Sequence, residues 1–130
     1  MKYRPDMKIT SNKQELFNTV YLALIKQGEP AVRNGTCTYL DHTTGHKCAI
    51  GHLIPDGHPG QQMRSGVGTL YDVYPELFEK GADVGFLTEV QVAHDRPYIG
   101  RLTGTSWVEA FKKRMRLIAA EWKLTVPDVP

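Results

Sequence analysis

The sequence predicts an α+β fold, in which one mainly helical domain contains a small antiparallel β-hairpin. Apolar residues recur every three to four positions in three separate segments, which is the spacing of one buried helix face. One run of β-favouring residues is followed by a polar turn and a second short apolar run, which is typical of a hairpin. The chain has 130 residues, the length of one ordinary domain.

The first helix is predicted over residues 13–27. Ser11 and Asn12 each precede a Gln or Glu by three residues, which is the spacing of a capping box. Gly28 and Pro30 end the helix, because glycine favours the position after a helix and proline cannot continue one. The apolar positions of this segment are Leu16, Phe17, Val20, Tyr21, Ala23 and Leu24.

The β-hairpin is predicted next. Residues 36–40 form its first strand, and residues 46–50 form the return strand or the entry to a short helix. A polar loop containing Gly connects the two. In this hairpin Cys37, Tyr39 and Cys48 are placed to face the core, where free cysteine commonly packs.

Three further helices are predicted in the second half of the chain. A short one covers residues 75–80, and a longer one begins after Asp83 and ends at Pro97. The last begins at the capping box of Ser106 and ends near Leu124. Its apolar stripe is formed by Val108, Phe111, Met115, Ile118 and Trp122.

The globular domain is expected to span residues 11–124, between an N-terminal arm of residues 1–10 and a C-terminal tail of residues 125–130. No apolar run approaches the roughly 20 residues that cross a membrane, so no membrane partner is expected. The first 18 residues lack the apolar region of a signal peptide, and the chain has only two Cys. These features predict a cytoplasmic protein with reduced thiols.

The charge is nearly balanced, with 16 Lys+Arg against 14 Asp+Glu. Residues 1–105 sum to zero, so the surplus of +2 lies in residues 106–130. Domains that bind nucleic acid are usually much more basic. Nucleic acid is therefore not the expected partner, and a weak contact through the basic last helix stays an alternative.

Four of the five histidines lie within 17 residues, close to both cysteines. Nitrogen and sulfur donors of this kind hold zinc, and the candidate ligands are Cys37, His46, Cys48 and His52. No spacing among them matches a common zinc motif, because neither Cys belongs to a C-x₂-C pair. The pattern favours core packing, and no cofactor is expected, with zinc as the alternative.

Nucleophilic catalysis is a further alternative. Cys48 precedes a candidate helix start, where a thiolate is stabilised, and His94 with Asp95 offers a base and its orienting group. His52 is a second candidate base. No catalytic motif surrounds Cys48, and a His at the end of a helix has a simpler structural explanation. The sequence therefore favours a protein that is not an enzyme.

A binding site is expected where the loop of residues 55–60, the corner at residues 94–96 and the loop of residues 96–105 converge, because loops carry most binding residues. The candidate ligand contacts are Asp56, His94, Asp95, Arg96, Tyr98 and Arg101.

Two motifs resemble those of a family of small bacteriophage and bacterial proteins of unknown function. The first is Cys37-x-Tyr39, a polar turn and residues 47–56, similar to C-A-x-G-x-L-I-x-D. The second is residues 86–95, similar to F-L-x-x-L-Q-x-x-H-D, with Val90 in place of Leu. The resemblance covers roughly residues 13–124. It implies a phage-type accessory protein in the host cytoplasm and carries no established catalytic residues.

These features together predict a small cytoplasmic accessory protein that binds a host protein or a small, nucleotide-like ligand. Countering a host defence is one form of this role. The size, the near-neutral charge and the incomplete catalytic set favour binding over a Cys/His-dependent or zinc-containing enzyme. Either a monomer or a homodimer is expected.

Overall fold

The computed structural model describes residues 8–33 and 36–129. Within these ranges the chain is mainly helical, and none of its helices has the length and apolar character needed to cross a membrane. The α-helices are α1 (Lys13–Gln27), α2 (Val67–Val73), α3 (Val84–Ile99) and α4 (Gly104–Trp122). Two short strands, β1 (Val32–Arg33) and β2 (Thr36–Cys37), pair antiparallel, and 3₁₀ helices cover Ile50–His52, Pro59–Gln62 and Pro75–Leu77.

The bounds predicted for the first helix, residues 13–27, are confirmed. The Asn12 side chain accepts a hydrogen bond from the Glu15 N–H at 3.0 Å. Gly28 adopts a left-handed conformation with φ of 75°, and its N–H donates to the Leu24 carbonyl. Both ends are thus set by residues directly beside the helix, so local sequence suffices to place them.

The predicted α+β class, with a hairpin of residues 36–40 and 46–50, is wrong. These segments share only one isolated bridge, between Leu40 and Lys47, and the strands that pair are the two-residue β1 and β2. The chain after Lys47 coils into a 3₁₀ helix because its backbone finds other partners. The Ile50 N–H donates to the Gln91 side chain on α3 at 3.0 Å, which takes the place of a neighbouring strand.

Two predicted helix ends are also wrong. Helix α3 continues past Pro97 to Ile99. Pro97 lies in the last turn, where its missing N–H removes one hydrogen bond and its buried ring contributes to packing. Helix α4 begins at Gly104, before the predicted capping box at Ser106, and its N-cap Thr103 makes no side-chain capping bond.

The core is organised around the contact of α3 with α4. Trp107 is completely buried and stacks on Phe111 with ring centroids 5.3 Å apart. Phe111 in turn stacks on Tyr21 of α1. The segment before α1 is held by Ile9, which is buried and forms a bridge with Phe78. The part of the predicted arm formed by residues 1–7 lies outside the described residues.

Gly51 packs closely against the backbone of Tyr39. A Cβ at this position would lie 2.0 Å from the Tyr39 carbonyl oxygen and 3.2 Å from the Lys47 Cβ. Because the nearest atom belongs to the backbone, it cannot rotate away. The absence of a side chain at Gly51 therefore allows the 3₁₀ helix to pack on the segment that carries Cys37 and Tyr39.

We expect Gly51→Ala to lower the free energy of unfolding by about 2–3 kcal/mol, the usual cost of overpacking a rigid site. Chemical denaturation measures this loss. The matched control is Gly68→Ala in α2, where an added Cβ meets nothing within 4 Å. That change should leave stability unchanged or raise it by about 0.5–1 kcal/mol. Equal stabilities of the two variants would contradict the close approach at Gly51.

Candidate functional site

A cleft of about 820 Å³ opens beside the C-terminal half of α3. Its other walls are residues 37–39, residues 63–66 and the loop between α3 and α4. This volume lies within the range of small-ligand sites. The polar side chains that matter for its chemistry are Cys37, Arg64, Ser65, Gln91, Asp95 and Arg101.

His94 lies beneath this cleft and is completely buried. Its Nε2 accepts a hydrogen bond from the Ala31 backbone N–H at 2.9 Å, so Nε2 must carry the lone pair. In the neutral ring Nδ1 therefore carries the proton, and it donates to Asp95 Oδ1 at 2.7 Å. The indole N–H of Trp107 donates to the His94 carbonyl at 3.0 Å. One residue thus joins α3, α4 and the segment before β1.

Asp95 is held in the cleft wall by two donors on the same oxygen. Besides His94, the Gln91 side-chain amide donates to Oδ1 at 2.8 Å. Gln91 is itself fixed, because its carbonyl oxygen accepts the Ile50 N–H. No N–H group in the described ranges donates to Asp95 Oδ2. The His94 and Gln91 bonds therefore orient the carboxylate through one of its two oxygens.

Both cysteines line the cleft as neutral thiols. Burial raises the pKa of the Cys37 thiol to about 12, and the adjacent Asp95 carboxylate adds to this through its charge and by accepting a hydrogen bond. Burial also raises the pKa of Cys48 well above its usual range, although its sulfur accepts the Gly51 N–H at 3.3 Å. Thiols of this kind are poor nucleophiles at neutral pH.

The candidate catalytic set Cys48, His94 and Asp95 does not form a relay. Asp95 does orient His94, as the alternative requires. The other nitrogen of His94 is occupied by the Ala31 N–H, so it cannot take a proton from Cys48 without breaking a buried hydrogen bond. The arrangement supports a structural role for His94.

The candidate zinc ligands Cys37, His46, Cys48 and His52 are not gathered at one point. Among the described residues, the set that brings three ligand atoms within 4.8 Å of one another is Cys37, His94 and Asp95. A metal on His94 Nδ1 would displace its proton to Nε2, where the Ala31 N–H already points. Binding of a metal ion by this set would therefore break the buried hydrogen bond between Ala31 and His94.

The histidine-rich segment has structural partners instead. His52 donates to the Gln27 side chain at 3.0 Å, and its burial, with the charge of Lys47, lowers its pKa to about 4. His58 is buried, and its Nδ1 accepts the Gly60 N–H at 2.9 Å at the start of a 3₁₀ helix.

Half of the predicted ligand contacts line the cleft, namely Asp95, Tyr98 and Arg101. His94 is buried, and Arg96 is exposed and does not line the cleft. Asp56 is exposed and pairs with Lys47 at 2.7 Å. The loop of residues 55–60, predicted to contribute, is replaced in the cleft wall by residues 63–66.

Arg64, Ser65 and Gln91 are cleft residues that the sequence did not single out. Gln91 precedes Asp95 by four positions, which places both on one helix face. This spacing could have indicated that Gln91 lies beside Asp95. Arg64 and Ser65 lie in an irregular segment without a motif. The Tyr39 hydroxyl donates to the Ser65 carbonyl at 2.7 Å and brings this segment to the cleft.

Comparison of this chain with protein-family models, with curated proteins and with solved structures finds no match. The resemblance to small bacteriophage and bacterial proteins stays a prediction from the two motifs.

We expect His94→Ala to lower the free energy of unfolding by about 3–4 kcal/mol. The change leaves a cavity in the core and removes the acceptor of the buried Ala31 N–H. Thermal or denaturant unfolding measures it. His42→Ala is the control, because His42 is exposed and its one hydrogen bond within the described residues is to the Gln62 side chain. A loss within about 0.5 kcal/mol for both variants would contradict the structural role of His94.

Cys37 should react slowly with iodoacetamide at pH 8 in the folded protein, because its raised pKa keeps the thiolate scarce. Asp95→Asn removes the adjacent negative charge and should speed the reaction by about tenfold, the effect of lowering the pKa by one unit. Mass spectrometry of the modified peptide measures the rate. The Cys37→Ser variant identifies which modified peptide in the mass spectrum arises from Cys37, because that peptide is absent from it. A wild-type rate equal to that of the unfolded chain would contradict the raised pKa.

Proposed function

We propose that the protein binds a small anionic ligand of nucleotide size in the cleft between residues 63–66 and the end of α3. The observation that carries the proposal is the pair of arginines in this cleft, Arg64 and Arg101. Neither has an acidic partner at ion-pair distance among the residues that the structure describes. Their charges are therefore available to a ligand.

Arginine in this position points to a phosphate or carboxylate. The planar guanidinium presents several N–H groups that match the oxygens of these anions, and such bonds are stronger than neutral ones. Arg101 also adopts a left-handed backbone conformation with φ of 67°, which is uncommon for a residue other than glycine. This conformation commonly ends a helix, and Lys123 adopts it in the same way after α4.

The cleft also offers apolar surface beside the charges. Met63, Tyr98 and Ile99 line it, and Ile99 is 68% exposed. A flat ring can pack on such side chains while its anionic group contacts the arginines. This combination supports a nucleotide-like ligand over inorganic phosphate alone.

Binding without chemical conversion is the activity that these groups support best. The thiols are neutral, and both ring nitrogens of His94 are engaged in hydrogen bonds. We further propose the setting implied by the two motifs, a phage-type accessory protein in the host cytoplasm. Withdrawing a nucleotide-like ligand from the host is one way in which such a protein would counter a defence. A host protein is the alternative partner.

We expect Arg64→Ala and Arg101→Ala each to weaken nucleotide binding by about tenfold, which corresponds to losing one charge-assisted contact of about 1.4 kcal/mol. Titration calorimetry with the four ribonucleoside 5′-monophosphates measures it at low salt. Arg116→Ala is the control, because it removes the same charge from an exposed position on α4 outside the cleft.

Two results would overturn the proposal. One is that no monophosphate binds the wild-type protein at millimolar concentration. The other is that Arg116→Ala weakens binding as much as the two cleft variants, because the effect would then reflect net charge and not the site.

A further inference from the structure

We propose that Asp95 accepts a hydrogen bond from the base of the ligand, and that the ligand of the cleft is therefore a nucleoside phosphate. Its phosphate contacts Arg64 and Arg101, and a base N–H donates to Asp95 Oδ2. This inference rests on the proposed function and deepens it. It assigns Asp95 as a specificity-determining residue and names the chemical class of the ligand.

The orientation of Asp95 is the first step of the argument. The two N–H donors that hold this carboxylate, from His94 and Gln91, are both bonded to Oδ1, and the Cys37 thiol is a further, weak donor to the carboxylate. The side chain is 28% exposed in the cleft wall, and no N–H group of the described chain donates to Oδ2. An ionised carboxylate accepts several hydrogen bonds, so Oδ2 retains acceptor capacity directed to solvent or ligand. Because the carboxylate is already fixed, a ligand that uses it loses little side-chain entropy.

The second step of the argument is the negative charge of Asp95. A phosphate beside Asp95 would be repelled, whereas a phosphate beside the arginines is attracted. The two ends of the ligand must therefore differ, with an anion at one end and a hydrogen-bond donor at the other. Nucleoside phosphates have this composition. Their bases carry N–H donors, and the base is a flat body that suits the apolar surface of Met63, Tyr98 and Ile99.

Ser65 adds an independent observation in the same cleft. Its hydroxyl oxygen is buried and has no hydrogen-bond partner in the part of the chain that the structure describes. Buried polar atoms nearly always have a partner, so an orphaned one needs an explanation. A polar atom of the bound nucleoside supplies that partner. Ser65 and Asp95 then form hydrogen bonds with the sugar and base of the ligand, and the two arginines contact its phosphate.

The experiment compares the four ribonucleoside 5′-monophosphates with ribose 5-phosphate, which has the sugar and phosphate but no base. We expect at least one nucleotide to bind wild-type protein ten times more tightly than ribose 5-phosphate does. Asp95→Asn should remove this difference. Asparagine keeps an oxygen for the His94 and Gln91 bonds but places an N–H₂ group, a donor, at the position of Oδ2.

The direction in which Asp95→Asn changes the affinity shows whether Asp95 recognises the base or acts only through its negative charge. Removing a negative charge from the cleft should by itself tighten the binding of every anion. We expect instead that Asp95→Asn weakens the nucleotide and leaves ribose 5-phosphate equal or slightly tighter. If Asp95→Asn tightens both ligands, Asp95 does not accept from the base and the inference is overturned.

Ser65→Ala provides the second variant. Because the hydroxyl has no partner in the described structure, its removal should leave the melting temperature unchanged or raise it, while it weakens the nucleotide by about three- to fivefold. This variant decides the question if Asp95→Asn does not fold. Unchanged nucleotide affinity in Ser65→Ala would then overturn the inference.

The failure of this inference differs from that of the proposed function. Equal affinities of the wild-type protein for nucleotides and ribose 5-phosphate would overturn the role of Asp95 while the arginine site stands. If neither class of ligand binds, the proposed function and this inference both fall. A phosphorylated amine that binds more tightly than every nucleotide would show that the donor belongs to another class of ligand, and it too would overturn the inference.

Discussion

The backbone N–H of Ala31 can only donate a hydrogen bond, and this constraint determines the state of His94. Because Nε2 accepts that bond, the proton of the neutral ring must lie on Nδ1 and point to Asp95. The carboxylate is turned so that the same oxygen also accepts from Gln91. The orientation of Asp95 in the cleft wall thus follows from one buried backbone group that does not itself line the cleft.

The same histidine also fixes how the helices meet. Its carbonyl accepts the indole N–H of Trp107, and the two rings pack edge to face with centroids 5.4 Å apart. Burying a polar ring costs free energy unless each of its polar atoms has a partner, and here each has one. A buried network that is fully satisfied specifies one arrangement of α3 and α4, because any shift between them would leave a donor or acceptor unpaired.

Local sequence could predict those parts of the fold whose partners are close in the chain. Asn12 and Gly28 set both ends of α1, and Asp83 caps α3 through the Phe86 N–H. The β-hairpin failed as a prediction because the backbone N–H of Ile50 is satisfied by Gln91, 41 residues further on. The residues of the cleft can be separated in the same way, into those that local sequence could predict and those that it could not. Asp95, Tyr98 and Arg101 follow one another along one helix end and were predictable as a group, whereas Arg64 and Ser65 reach the cleft through a bond to Tyr39 that no local pattern encodes.

Some polar groups at the cleft are already hydrogen-bonded or protonated, and others can still bond a ligand. This difference favours ligand recognition over catalysis. Proton transfer needs a base with an accessible lone pair and an acid that ionises near neutral pH. Here the lone pair of His94 is occupied and burial keeps the thiol of Cys37 protonated. The groups that remain are Asp95 Oδ2, to which no N–H group of the described chain donates, the Ser65 hydroxyl and the two guanidinium groups, and the proposed ligand would be held by these. Groups that are already held in position lose little side-chain entropy when a ligand binds, and this is the property that the proposed binding role requires.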